Sequence, residues 1–159
     1  MSLQLRSMRD DEFAAWVPEM RDGYAQAMVD DGGFSPEGAA AKADADMAQL
    51  FPDGRPSSDQ LVFVLEADGE RVGELWLAER GDSAQGQVLF VYDIHVDDTH
   101  RGRGFGKAAM LLAEEEARRR GLPRVALNVF GRNTVARNLY RSLGYEENAV
   151  AMSKSVSSS

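Results

Sequence analysis

The stretch Val96-Asp-Asp-Thr-His-Arg101-Gly-Arg-Gly104-Phe-Gly106-Lys-Ala108 sets glycines at positions 102, 104 and 106, where an apolar, β-rich run gives way to a helix. Such glycines let the backbone approach a ligand, and their NH groups join the unpaired NH groups of a helix start, where the macrodipole favours negative charge. Arg101, Gly102, Arg103, Gly104, Phe105, Gly106 and Lys107 are therefore candidates to hold a polyanion such as a pyrophosphate. Just upstream, Asp93 and His95 alternate onto one face of the preceding strand. Both are proton acceptors: the imidazole has the better pKa for work near neutrality, and the carboxylate would act through water. A β-bulge in that strand would change the side-chain parity and separate them. Downstream, Asn133 opens a helix on which Tyr140 follows about two turns later on the same face. Tyr140 has two readings, a phenol that addresses a ligand or one member of the core stripe Ala136, Leu139, Tyr140 and Leu143. Asn133 also has two, since an ordinary N-cap needs no ligand.

Two other phosphate motifs fail on the letters. A dinucleotide fingerprint counted from Gly102 finds Lys107 in place of its third glycine, and a Walker loop ending at Gly106-Lys107 starts on Arg101 and puts Ala108 at its hydroxyl position. What remains is R-x-x-G-x-G, from Arg101 through Gly104 to Gly106, followed by Leu127-Asn-Val-Phe-Gly-Arg-Asn133-Thr-Val-Ala136-Arg-Asn-Leu139-Tyr140-Arg-Ser-Leu-Gly144-Tyr145. In this order and spacing the pair closely resembles the GNAT superfamily of acyl-CoA-dependent N-acetyltransferases. The resemblance is sharpest between about Val88 and Tyr145, and the N-terminal part matches only in the order of its elements.

The resemblance implies direct, ternary-complex transfer of an acetyl group from acetyl-CoA, as co-substrate, to a primary amine, with a small molecule as first choice of acceptor. A protein N-terminus or lysine is the alternative. A different class of reading is a non-catalytic acyl-CoA-binding or sensing module, for which the glycine turn works and the acid-base groups do not. The resemblance further implies that backbone groups at Ile94 and Val96 pair with pantetheine and the thioester oxygen, that Asn133 contacts the cofactor, and that Tyr140 is the general acid. A phenol near pKa 10 suits a thiolate leaving group. Asn128, polar within an apolar strand, would face the gap that opens when its strand splays from the one at Ile94 to Val96. The fold implied is a single α/β domain over 1–155, with a mixed, largely antiparallel sheet splayed between the fourth and fifth strands, flanked by helices. Residues 156–159 are expected to form a disordered tail. Monomers and homodimers are both compatible with the family.

The elements that must carry these groups are legible from periodicity and punctuation. Leu3 to Met8 reads as a strand, and Asp10 and Asp11 start a helix to about Val29 with Phe13, Trp16, Val17, Met20 and Tyr24 at helical spacing. Ser35 caps a helix that opens on Pro36 and runs to Leu50. Strands at Leu61–Leu65 and Val72–Leu77 flank the hairpin signal Asp68-Gly69. The polar run from Arg80 to Gly86 reads as a loop, Val88 to Val96 as a central strand, and Gly104 to Arg120 as a helix. A strand over Arg124 to Val129 and a last strand around Met152 complete the expected order.

Composition limits the alternatives. The chain has 159 residues, 43% of them apolar, which suits one core. It has no cysteine, which removes disulfides, thiolate metal sites and a thiol acyl carrier together. With two histidines and carboxylates at helix-surface spacing, the sequence offers no metal constellation. Net charge is -8, but residues 1–79 carry 6 basic and 17 acidic side chains, whereas residues 80–159 carry 12 basic and 9 acidic. A positive half suits a polyanionic cofactor and an acidic half suits a cationic amine, while the overall balance disfavours nucleic acid. No apolar run is long enough for a membrane span and no signal-peptide profile is present, so a cytoplasmic protein is expected.

Overall fold

The computed structural model describes residues 2–56, 58–83 and 86–157. Five strands lie in sequence order across one sheet: β1 (Leu3–Ser7), β2 (Gln60–Ala67), β3 (Glu70–Ser83), β4 (Gly86–Val96) and β5 (Val125–Leu127). The first three pairings are antiparallel and the last, β4 with β5, is parallel. Helices α1 (Asp10–Asp30) and α2 (Pro36–Leu50) precede β2, α3 (Phe105–Arg119) crosses from β4 to β5, and α4 (Thr134–Ser142) follows β5.

Local chemistry explains several boundaries. Ser35 caps α2, its hydroxyl accepting from Gly38 N at 3.0 Å, and Pro36 occupies the first turn where its missing NH costs nothing. Asp68 and Gly69 both take positive φ, 55° and 79°, which closes the two-residue hairpin between β2 and β3 with the twist that strands prefer. Acidic Asp10, Asp11 and Glu12 crowd the first turn of α1, and Glu12 accepts from Arg9 N at 2.9 Å.

The two faces of the sheet bury different sets. Leu65, Leu75, Leu77, Leu89 and Val91 pack with Phe105, Ala109, Met110 and Ala113 of α3, and Tyr140, Leu143 and Tyr145 lie against this cluster. On the opposite face Val62 and Trp76 meet Phe13, Trp16 and Met20 of α1 and Phe51, while Met28, Ala39 and Ala43 join the two helices to each other. Phe13, Trp16 and Met20 are thus core as their spacing predicts.

Two segments differ from the sequence reading. Residues of the polar run beginning at Arg80 extend β3 instead of forming a loop, with Arg80 opposite Val88 and Ser83 opposite Gly86. Antiparallel pairing satisfies their backbone and outweighs local turn preference; residues 84 and 85 lie outside the described residues. The expected last strand around Met152 does not form: residues 145–157 have no regular secondary structure, and Val150 and Met152 are 68% and 90% exposed. Period-two alternation makes a strand only when a partner takes its hydrogen bonds. β5 is itself only three residues long and offers the segment no extended edge.

Candidate active site

The glycine turn leaves a run of backbone NH groups open. After a short 3-10 turn at Asp98–His100, Gly102 and Gly104 take φ of 79° and 82°, and Gly104 is the left-handed residue that launches α3. The NH groups from Gly102 through Lys107 make no hydrogen bond within the described residues, the first bonded one being Ala108 N to Gly104 O at 3.0 Å. Arg103 and Lys107 are exposed beside them. Arg101 is tied back, its Nε donating to Val96 O at 3.1 Å and its Nη1 lying 3.2 Å from Asp98, so it joins the turn to the end of β4. Gly106 faces Leu139 of α4, so the start of α3 lies against the side of that helix.

β4 carries the bulge that the sequence reading raised, but its position preserves the pairing of acceptors. Trp76 sits opposite Asp93 and Leu77 opposite Val91, so Tyr92 is the inserted residue. Leu89 and Val91 face α3 before the bulge, as do Ile94 and Val96 after it. Asp93 and His95, both beyond the insertion, stay together on the α1/α2 side, opposite Trp76 and Glu74. The insertion also shifts the backbone. Leu89 N points toward β5, donating to Arg124 O at 2.9 Å, whereas Asp97 N points toward β3, donating to Val72 O at 2.8 Å. Because NH direction alternates along a strand, the NH groups of Ile94 and Val96 point away from β3. No strand pairs with them there, since the β4–β5 ladder stops at Val91 with Leu127, and the Asp93 carboxylate accepts from Ile94. The sheet forks at this point, with Ile94 and Val96 on one prong and exposed Asn128 just past the end of the other.

A cleft of about 1950 Å³ opens beside the fork, lined among others by Glu74, Tyr92, Asp93, His95, Asn128 and Tyr140. Its α1/α2 wall is aromatic: Tyr92 stacks on Trp76 at 4.6 Å, and Tyr24 donates to Asp46 at 2.9 Å, burial first and that carboxylate second pushing its phenol up to about 12. Burial raises the Asp93 carboxyl to about 6, His95 opposing the rise and Glu74 adding to it. Burial also pushes the Tyr140 phenol above its ordinary value, and the nearby Asp93 carboxylate adds to the effect. Tyr140 therefore lies close enough to feel the Asp93 charge. Glu74 is only 6% exposed, and burial raises its carboxyl, with Arg71 and His95 opposing and Asp97 reinforcing.

A family model for the acetyltransferase (GNAT) family matches residues 14–145. The chain belongs to the GNAT acetyltransferase family. YycN of Bacillus subtilis, an uncharacterized N-acetyltransferase, is 30% identical over 97% of this chain and 99% of the relative. Its crystal structure superposes with a TM-score of 0.89 over 99% of this chain and 100% of that one. The streptothricin acetyltransferase of Streptomyces lavendulae is 34% identical over 65% of this chain and 59% of the relative. At 19% identity and a TM-score of 0.63, over 98% of this chain and 96% of that one, the CoA complex of the aminoglycoside acetyltransferase AAC(6')-Iy shares the fold.

Within this GNAT chain the structure sorts the residues singled out by sequence. Asp93, His95, Asn128 and Tyr140 line one cleft, whereas Arg101 to Lys107 form a separate turn at the start of α3. Asn133 caps α4, its side chain accepting from Ala136 N at 3.1 Å. Tyr140 packs against the α3-face core and also lines the cleft. His100 is held by Glu70 at 3.3 Å and Thr99 at 3.1 Å, outside the cleft lining. Sequence reasoning passed over Glu74, although it is the one charge inside the apolar run Val72-Gly-Glu-Leu-Trp-Leu. That lone charge was the available signal. No helix among the described residues is long and apolar enough to cross a membrane.

Proposed function

We propose that this GNAT enzyme transfers the acetyl group of acetyl-CoA directly to the primary amine of a small molecule. The observation that carries the reading is the fork in the sheet: backbone NH groups at Ile94 and Val96 that no strand takes up lie at a gap beside Asp93 and Tyr140. The pantetheine arm would complete the open edge of β4 with Asn128 on the far prong, and the NH groups from Gly102 to Lys107, with Arg103 and Lys107, would hold the pyrophosphate. Asn133, at the start of α4, would contact the cofactor while keeping its capping bond to Ala136 N. Small-molecule acceptors are favoured by the aromatic, acid-lined wall and by relatives named for streptothricin and mycothiol.

In the proposed reaction one ammonium proton passes to Asp93 and on to solvent. Its raised pKa of about 6 narrows the gap to the amine. The neutral nitrogen attacks the thioester carbon, the carbon–sulfur bond breaks, and Tyr140 protonates the departing thiolate. The phenol recovers its proton from the new amide nitrogen, leaving acetamide, free CoA and one proton in solvent. Asp93 is preferred to His95 as acceptor because its raised carboxyl acts on Tyr140, whereas His95 is exposed and lies 3.4 Å from Asp97. Steady-state thiol release from acetyl-CoA across a panel of small primary amines tests the reading. Turnover on at least one amine is expected, and CoA binding without turnover on any would instead identify a sensing module.

A further inference from the structure

Glu74 is a buried carboxylate with one oxygen, Oε2, that has no hydrogen-bond partner among the described residues. Its other oxygen lies 3.2 Å from Arg71, which is shared with Glu12 at 3.8 Å. A buried acceptor left open in this way is costly and calls for a donor. The register of the sheet shows what surrounds it. Glu74 is directly opposite His95, and Asp97 follows two positions later on the same face of the chain. One acceptor atom from each of the three lies within 4.8 Å of the other two, and the His95–Asp97 edge is 3.4 Å. Three acceptors this close together can share one small cation, and the acceptors of an ammonium making three hydrogen bonds stand up to about 4.7 Å apart. Glu74 and Asp97 as carboxylates and His95 as a neutral imidazole supply three acceptors for the three NH donors of a primary ammonium.

We infer that Glu74, His95 and Asp97 form a cradle for a second ammonium group of the acceptor, so that the substrate is a primary diamine. This rests on the proposal that an amine is acetylated beside Asp93 and Tyr140, in the same cleft that Glu74 and His95 line. Alternate positions on a strand are about 7 Å apart, which sets the step from Asp93 to His95. A diamine whose nitrogens are separated by about four or five methylenes spans that step. One nitrogen would sit at the thioester, and the other would donate to Glu74. Arg71 behind the carboxylate does not cancel the cradle, because Asp97 contributes a second negative charge and Arg71 is itself shared with Glu12.

Binding separates this inference from the reaction on which it rests. The full chain, with saturating CoA, is titrated calorimetrically with 1,5-diaminopentane and with 1-aminopentane. The diamine is expected to bind at least tenfold more tightly. Glu74→Gln should bring its affinity down to that of the monoamine while leaving the monoamine unchanged, and Asp97→Asn, at a half-buried position outside the core, should do the same in part. Equal affinity of the two amines for the wild-type protein, or a loss on Glu74→Gln that is the same for both, overturns the cradle. Diamine-selective binding without thiol release would keep the cradle and remove the acetyl-transfer reading instead.

Discussion

Replacing Asp93 with asparagine should make the protein more stable and less active at the same time. Burial lifts this carboxyl from an ordinary 3.8 to about 6, a shift of about two pH units. Each unit is worth about 1.4 kcal/mol, so the ionised side chain costs the folded state about 3 kcal/mol at pH 7. The sign follows from proton counting: between pH 4 and 6 the folded protein holds a proton that the unfolded chain has released, so stability falls as pH rises through that window. Above it the full cost is present; below it the cost vanishes. Asparagine keeps the size of the side chain and an oxygen to accept from Ile94, and it carries no charge. Urea unfolding should therefore find Asp93→Asn more stable by about 3 kcal/mol at pH 7 and by roughly half that at pH 5, a gain of about 6–12 °C in Tm at the higher pH. Turnover should drop about 10²-fold or more, and the rise of kcat/KM through pH 6 expected of the wild type should be absent. A stability gap that is the same at both pH values would refute the burial reasoning, and unchanged turnover would remove Asp93 from the chemistry.

Three other perturbations probe separate parts of the site. Tyr140→Phe should lower kcat about 10²-fold with CoA affinity, measured by calorimetry, within about twofold. Gly104→Val should weaken CoA at least tenfold in a folded protein, because φ of 82° is barred to a β-branched residue even though its Cβ would meet open space. Gly73→Ala should cost about 3 kcal/mol or more in urea unfolding, since the added Cβ would lie 2.0 Å from His95 O and must push β3 and β4 apart at the register that carries the site.

How much of this was legible beforehand follows the range of the interactions. The Ser35-Pro36 helix start, the Asp68-Gly69 hairpin, the Gly102–Gly106 turn and the Asn133 cap are decided by a few neighbouring residues, and the sequence showed them. The bulge at Tyr92 is decided by how β4 meets β3 across the sheet, and no local pattern distinguishes Tyr92 from Asp93 as the extra residue. Glu74 was visible as a charge in an apolar strand, but its company was not, because His95 and Asp97 lie some twenty residues away and meet it only through strand register. The same holds for Arg80 to Ser83, polar enough to read as a loop yet held extended by a partner strand, and for Met152, patterned as a strand but without one.

The fork beyond Val91 has a consequence for the protein when it is empty. A strand rim with bare amide groups is the kind of surface on which neighbouring chains align and aggregate. A pantetheine arm laid along it would act as a temporary sixth strand, shielding the rim and, at a hundredfold excess over Kd, adding about 2.7 kcal/mol to the folded state. Shelf life and heat resistance would then depend on how much coenzyme accompanies the protein through purification.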